Sequence, residues 1–147
     1  MKKKRVRLAL LFMVLVASAG TFVYWYGFLR QEKPVAQRKV DFEIAPDSLF
    51  SVFISDENAA NARYGGKVLQ LTGRLVSWSR ESNGSVTLTF VDPMMGVTCT
   101  IDSLQAVAQQ ANIERLAGGA RVTVKGRCDG MLTDVKITRC SILSIDQ

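Results

Sequence analysis

The chain contains no histidine. That absence removes Ser-His-Asp and Cys-His catalytic arrangements and every metal site that relies on an imidazole. It also excludes haem attachment through a histidine. Cysteine is nearly as scarce: the three residues Cys99, Cys128 and Cys140 form no C-x-x-C pair and cannot supply four zinc ligands by themselves. Gly65-Gly66-Lys67 lacks the G-x-x-x-x-G-K-[ST] spacing of a phosphate loop. Asp129 and Asp134 flank a turn where aspartate serves ordinary backbone needs. No catalytic residue, cofactor site or metal site is predicted, and the chain is read as non-enzymatic.

Acidic residues are absent from the first 29 positions, which hold five bases: Lys2, Lys3, Lys4, Arg5 and Arg7. An uncharged, largely apolar run of 22 residues, 8–29, follows them. A bilayer core needs about 20 such residues, so the run predicts one transmembrane helix. Flanking bases stay on the cytoplasmic side, which sends the rest of the chain across the membrane. Tyr24, Trp25 and Tyr26 gather near the far end, where amphipathic rings favour the headgroups. Ala17-Ser18-Ala19 resembles a signal-cleavage site, the competing reading. Cleavage there would leave an apolar new terminus with nothing to bury it, so an uncleaved anchor explains more residues.

The net charge of +6 belongs to this N-terminal part. Residues 30–45 hold four bases and three acids, and residues 46–147 hold ten of each. A neutral domain argues against nucleic acid as the partner, since such binding draws its affinity from bases that neutralise phosphates. Arg121, Lys125 and Arg127 alternate along one predicted strand and would share a face, either as a local basic patch or as a solvated one. Residues 30–45, with Pro34 and mixed charge, read as a linker, and residues 46–147 as one small domain.

Within that domain a helix is predicted from Pro46, with Leu49, Phe53, Ala60 and Tyr64 on one face and Gly65-Gly66 as its stop. The period then changes to two. Leu69, Leu71, Gly73 and Leu75 alternate with polar residues over 67–78, Val86, Leu88 and Phe90 do so in a second strand, and Val97, Cys99 and Ile101 in a third. A helix with the apolar stripe Leu104, Val107, Ala108 and Ala111 follows, capped by Asp102 or Ser103. Two further strands carry Val122, Val124 and Gly126, then residues 134–145. Three strands, a helix and two strands is the order of a five-stranded Greek-key OB barrel, here mainly β with an extra N-terminal helix. Gly73 and Gly126 suit the bends of such a barrel. An open α+β sheet is the alternative.

OB barrels bind on the face of their second and third strands and in the loops between strands one and two and strands four and five. Those loops fall at 79–85 and 129–133. Trp78, Ser79, Arg80 and Asn83 therefore form the predicted ligand-binding patch, with Arg80 beside an aromatic that can stack. Trp78 has the alternative role of a core residue at the barrel end. Met94-Met95-Gly96 reads as an adaptable apolar contact or a packed loop. Cys99 and Cys140 fall on strands that meet in an OB barrel, so they are the candidate disulfide, against three buried thiols as the alternative.

The segments Ala62-Arg63-Tyr64-Gly65-Gly66-Lys67-Val68, Leu71-Thr72-Gly73-Arg74-Leu75 and Val97-Thr98-Cys99, the run 119–130, and Val135-Lys136-Ile137-Thr138-Arg139-Cys140 resemble the tRNA_anti-like family of OB-fold proteins. The resemblance spans residues 46–143. It implies the barrel and a bacterial envelope or membrane-associated setting. The family's name records a likeness in shape to anticodon-binding domains and implies no activity. The expectation is a membrane-anchored, exported module that binds a protein or small envelope ligand, with a nucleic-acid-binding barrel as the alternative.

Overall fold

The computed structural model describes residues 13, 15–22, 24, 34–92 and 94–146. The described residues of the N-terminal segment are helical, and among the described residues no helix is long and apolar enough to cross a membrane. Most of the span predicted over 8–29 lies outside the described residues. The chain divides into two compact units, Met1–Lys33 and Pro34–Gln147.

The second unit is built on six strands: β1 (Phe42–Ile44), β2 (Val68–Arg80), β3 (Val86–Phe90), β4 (Val97–Ile101), β5 (Arg121–Met131) and β6 (Val135–Asp146). The hydrogen-bonded order is β1-β2-β3-β4-β6-β5, and β2 also pairs with β5. That last pairing runs antiparallel from Val68↔Arg127 to Arg74↔Arg121 and closes the sheet. The open-sheet alternative is therefore excluded. Strands β2 to β6 form a closed five-stranded barrel, with β4 parallel to β6 as the Greek-key path requires. Closure leaves no free edge in those five strands.

Inward-facing residues repeat every second position: Leu69 and Leu71, then Val86, Leu88 and Phe90, then Val97, Cys99 and Ile101, all fully buried. Strand β2 shifts register between Leu75 and Ser77, and this bulge lets its 13 residues curve around the barrel. Gly126 sits where β5 shifts register against β6, between Lys125 and Arg127, as a bend in the strand predicts, and both Gly73 and Gly126 also keep space clear for their neighbours. A Cβ on Gly73 would lie 2.6 Å from Pro46 Cγ, and one on Gly126 would lie 2.5 Å from Ile137 Cγ2 and 2.6 Å from Cys140 Sγ.

Two short helices replace the single one expected after Pro46. Helix α1 (Pro46–Ser55) starts with proline in its first turn and an acidic Asp47 that complements the dipole. Asp56, extended at φ −157° and ψ 95°, breaks the run. Its carboxylate accepts from the Ala59 N–H at 3.0 Å and caps α2 (Glu57–Tyr64). Leu49, Phe53, Ala60 and Tyr64 are nevertheless all buried, as their spacing predicts.

The predicted linker is largely part of the domain. A 3-10 turn at Val35–Gln37 packs against β5 and β6, with Val35 buried. Strand β1 pairs parallel with β2 through Phe42↔Leu69 to Ile44↔Leu71. The Asp41 N–H donates to the Val68 carbonyl, and the Val68 N–H donates to the Asp41 carboxylate, both at 2.8 Å. Phe42 meets the Tyr64 ring edge-on at 5.3 Å, and the Arg63 guanidinium stands 5.7 Å above Phe42.

The helical interval after β4 reverses its predicted orientation. Helices α3 (Ser103–Ala108) and α4 (Gln110–Ile113) turn Ala106 and Ile113 inward. Leu104, Val107, Ala108 and Ala111, the stripe expected to meet the core, are exposed. Gln109 decides the matter. Its side-chain amide donates to the Ser141 hydroxyl at 2.7 Å and the Ile142 carbonyl at 3.2 Å, while its carbonyl accepts from the Ile142 N–H at 2.9 Å. A backbone stretch of β6 is satisfied by this glutamine, so the polar side of the helix faces the barrel.

Candidate binding surface

The outer face of the barrel follows from the same alternation. With Val86, Leu88, Phe90, Val97, Cys99 and Ile101 turned in, the threonines between them turn out and are half-buried. The register sets hydroxyls in two rows across the strands. Ser79, Thr87 and Thr100 form one row; Ser77, Thr89, Thr98 and Lys136 form the other. The Thr98 hydroxyl donates to the Asp134 carboxylate in the β5–β6 turn. This is the face that OB barrels use for ligands. Each hydroxyl both donates and accepts, so it suits polar groups that need directional hydrogen bonds. No aromatic ring stands in these rows. The sequence reading missed the surface although its signal, Thr at 87, 89, 98 and 100, lies in the alternation that defined the strands.

The predicted patch does not assemble. Trp78 and Arg80 pair with Leu88 and Val86, so they point to the inner side of β2 where it overruns the barrel, opposite to Ser79. Arg80 Nη2 donates to Gln110 Oε1 at 2.8 Å, which ties the overhang to α4. Trp78 remains 38% exposed there. Ser79 belongs to the hydroxyl rows instead. Asn83 is used within its own turn, where Oδ1 accepts from the Ser85 N–H at 2.9 Å and hydroxyl at 2.7 Å.

The basic stripe is also divided, although its members share a strand face. Lys125 is buried beneath the segment before β1, and its ammonium donates to the Arg38 carbonyl at 2.8 Å. Arg127 pairs with Asp129 at 3.6 Å. Arg121 stands directly opposite Arg74, with Asp146 on its other side. With Lys125 covered and Arg127 paired with Asp129, the stripe makes no continuous basic surface.

Cys99 and Cys140 come close together as free thiols, and the Cys140 thiol donates to the Ile137 carbonyl at 3.5 Å. Cys128 reaches the same interior, facing Ile137 across β5–β6 as Cys99 does across β4–β6. Burial pushes the Cys140 thiol well above its ordinary value of 9.0, reinforced by Cys99. Burial raises Cys128 too. Neutral, enclosed thiols are poor nucleophiles. Among the described residues no group of acidic or thiol side chains is placed to hold a metal ion.

At the end capped by α1, an open apolar cleft is lined by Phe50, Ile54, Val91, Met94, Met95 and Thr133. Val91 holds φ at 77°, a costly conformation for a β-branched residue. The methionines thus face a cleft beside α1 instead of packing on the helices after β4.

Comparison with solved structures bears on the fold. A lipoprotein from Klebsiella pneumoniae subsp. pneumoniae, named as a candidate nucleic-acid binder, superposes with a TM-score of 0.57 at 18% identity, covering 77% of this chain and 98% of its own. Yeast Stn1 and Ten1 give 0.47 at 14% identity, covering 74% and 65% respectively. Entamoeba histolytica asparaginyl-tRNA synthetase gives 0.43 at 9% identity over 56% of this chain and 22% of its own. No curated protein matches the sequence. A family profile described as tRNA_anti-like matches residues 1–142. With its closed barrel and this match over nearly its whole length, the chain belongs to the tRNA_anti-like family.

Proposed function

We propose that this protein is a membrane-anchored, exported OB-fold module that binds a protein or small envelope ligand and catalyses no reaction. The observation that carries the reading is the outer face of β3 and β4, which offers threonine hydroxyls and no aromatic ring. Barrels that hold single-stranded nucleic acid combine a positive groove with rings on which bases stack. Here Lys136 is the one cation in the hydroxyl rows, and Asp134 binds the neighbouring Thr98. A lattice of hydroxyls instead favours a partner with its own polar groups, such as an extended peptide or a hydroxylated small molecule. The membrane location rests on the charge and hydropathy pattern of residues 1–29, with the N-terminus cytoplasmic and the domain periplasmic. The absence of histidine supports a binding role over a catalytic one.

Nucleic-acid binding is the second reading, favoured by the name of the Klebsiella lipoprotein and by the facing pair Arg74 and Arg121. Binding of single-stranded DNA and RNA oligonucleotides to the full chain in detergent, at a low and a high salt concentration, separates the two. No saturable binding at low salt is expected. Tight binding that falls steeply with salt would replace the first reading with the second.

A further inference from the structure

The helices after β4 present their apolar side to the outside. Leu104 is 86% exposed and Val107 73%, and Ala108 and Ala111 continue the same stripe at helical spacing. This orientation is held in place. Rolling the stripe inward would break the three hydrogen bonds of Gln109 with Ser141 and Ile142, and the bond from Arg80 to Gln110. A contiguous apolar stripe on a helix fixed by its polar side marks an interaction surface.

The chain's own path indicates what covers it. Pro34 and Val35 share a cleft with Asp102, Gln105, Arg139 and Ser141, so the domain begins beside the first turn of α3. The predicted span ends at residue 29, leaving residues 30–33 as the connection. The five steps from residue 29 to Pro34 reach at most about 18 Å. The headgroup layer on each side of a bilayer core is roughly 5–8 Å deep. A domain leaving the membrane on so short a connection keeps the surface around Pro34 close to the headgroups, and α3 is the apolar element at that surface. Trp78, on the β2 overhang that Arg80 ties to α4, adds a partly exposed ring of the type that settles at headgroup level.

We infer that Leu104, Val107, Ala108 and Ala111 dip into the boundary between headgroups and acyl chains of the membrane that holds the anchor, making α3–α4 an interfacial helix and a second membrane contact. This inference rests on the anchored reading above. It gives the barrel a preferred orientation: the α3 end lies on the lipid, and the opposite end, with the β5–β6 turn, points away.

The test is nitroxide depth measurement on the full chain in vesicles of phosphatidylcholine and phosphatidylglycerol, with the label at Leu104→Cys, at Val107→Cys or at Leu132→Cys. Leu132 is exposed in the β5–β6 turn, at the far end of the barrel. The native thiols are buried, so the introduced cysteine takes the label. Flotation of the vesicles reports the anchor separately. The expected result is a chain that floats, labels at 104 and 107 that oxygen reaches better than a water-soluble nickel complex, and the reverse preference at 132. A floating chain whose three labels share the preference seen at 132 overturns the second contact and leaves the anchor standing. Labels at 104 and 107 shielded from both reagents overturn it in favour of a protein cover. A chain that does not float overturns the anchor and the inference together.

Discussion

The two ends of the barrel are closed by helices with similar apolar spacing and opposite orientation. Helix α1 turns Leu49 and Phe53 into the core and brings Pro46 against Gly73. Helices α3 and α4 turn Gln109 toward the barrel and leave Leu104 and Val107 outside. Periodicity identifies the residues that share a face of a helix. Which face becomes the inner one depends on what the barrel end needs. At the α1 end it needs apolar volume beside Phe90; at the α3 end it needs a donor and an acceptor for the Ile142 backbone, which β4 does not reach.

The sharpest way to break this comparison is to truncate the apolar anchor at one end and its apparent counterpart at the other. Phe53→Ala should cost about 3–5 kcal/mol in urea unfolding, as loss of a fully buried aromatic does. Leu104→Ala should stay within about 0.5 kcal/mol in the detergent-solubilised chain, as an exposed substitution does. Equal losses would mean that the stripe is buried after all. Gln109→Ala comes next, with about 1–3 kcal/mol expected for leaving the Ile142 N–H and carbonyl without their partner. A loss no larger than that of Leu104→Ala would remove the explanation for the helix orientation.

The smallest effect concerns what lies beneath each end. Cys140, next to Ser141, sits close to Asp102 and Cys99, where the other end has Phe53 and Phe90. A thiol whose folded pKa is raised stabilises the fold fully below its unfolded pKa. That stability is lost as pH rises through 9 toward the folded value, because the unfolded chain releases the proton first. Stability should therefore decline above about pH 9, by up to about 1.4 kcal/mol per pH unit for Cys128 and for Cys140. Cys140→Ala, measured over pH 7–10, should flatten the slope even if it lowers stability throughout. An unchanged slope would assign the decline to other groups.

The barrel strands were legible because period two, glycine placement and turn residues all agree over residues 68–146. Strand β1 was not, since three residues are too few to display an alternation. The break at Asp56 was hidden because the apolar faces of α1 and α2 continue one another in sequence, and the cap depends on the backbone conformation there. The burial of Lys125 was equally hidden, since the segment that covers it lies 87 residues away. At the candidate site the sequence reading grouped Trp78, Ser79, Arg80 and Asn83 around the loop between the first two barrel strands. Strand alternation separates the first three, and the turn consumes the fourth.

Closure by β2 and β5 joins residues 47 to 59 positions apart, from Arg74 with Arg121 to Val68 with Arg127. Loop closure over that distance carries an entropic cost that must be met before the pairing offsets it, which places folding in the slow range typical of barrels, about milliseconds to seconds. Until β5 is available, half of β2 is an open edge, able to add a foreign strand. Strand β1 pairs with Leu69 to Leu71 along the other edge, since β5 takes the same residues, and so cannot close it. The domain thus acquires its protection late and all at once, and a chain arrested before residue 121 would be the aggregation-prone form of this protein.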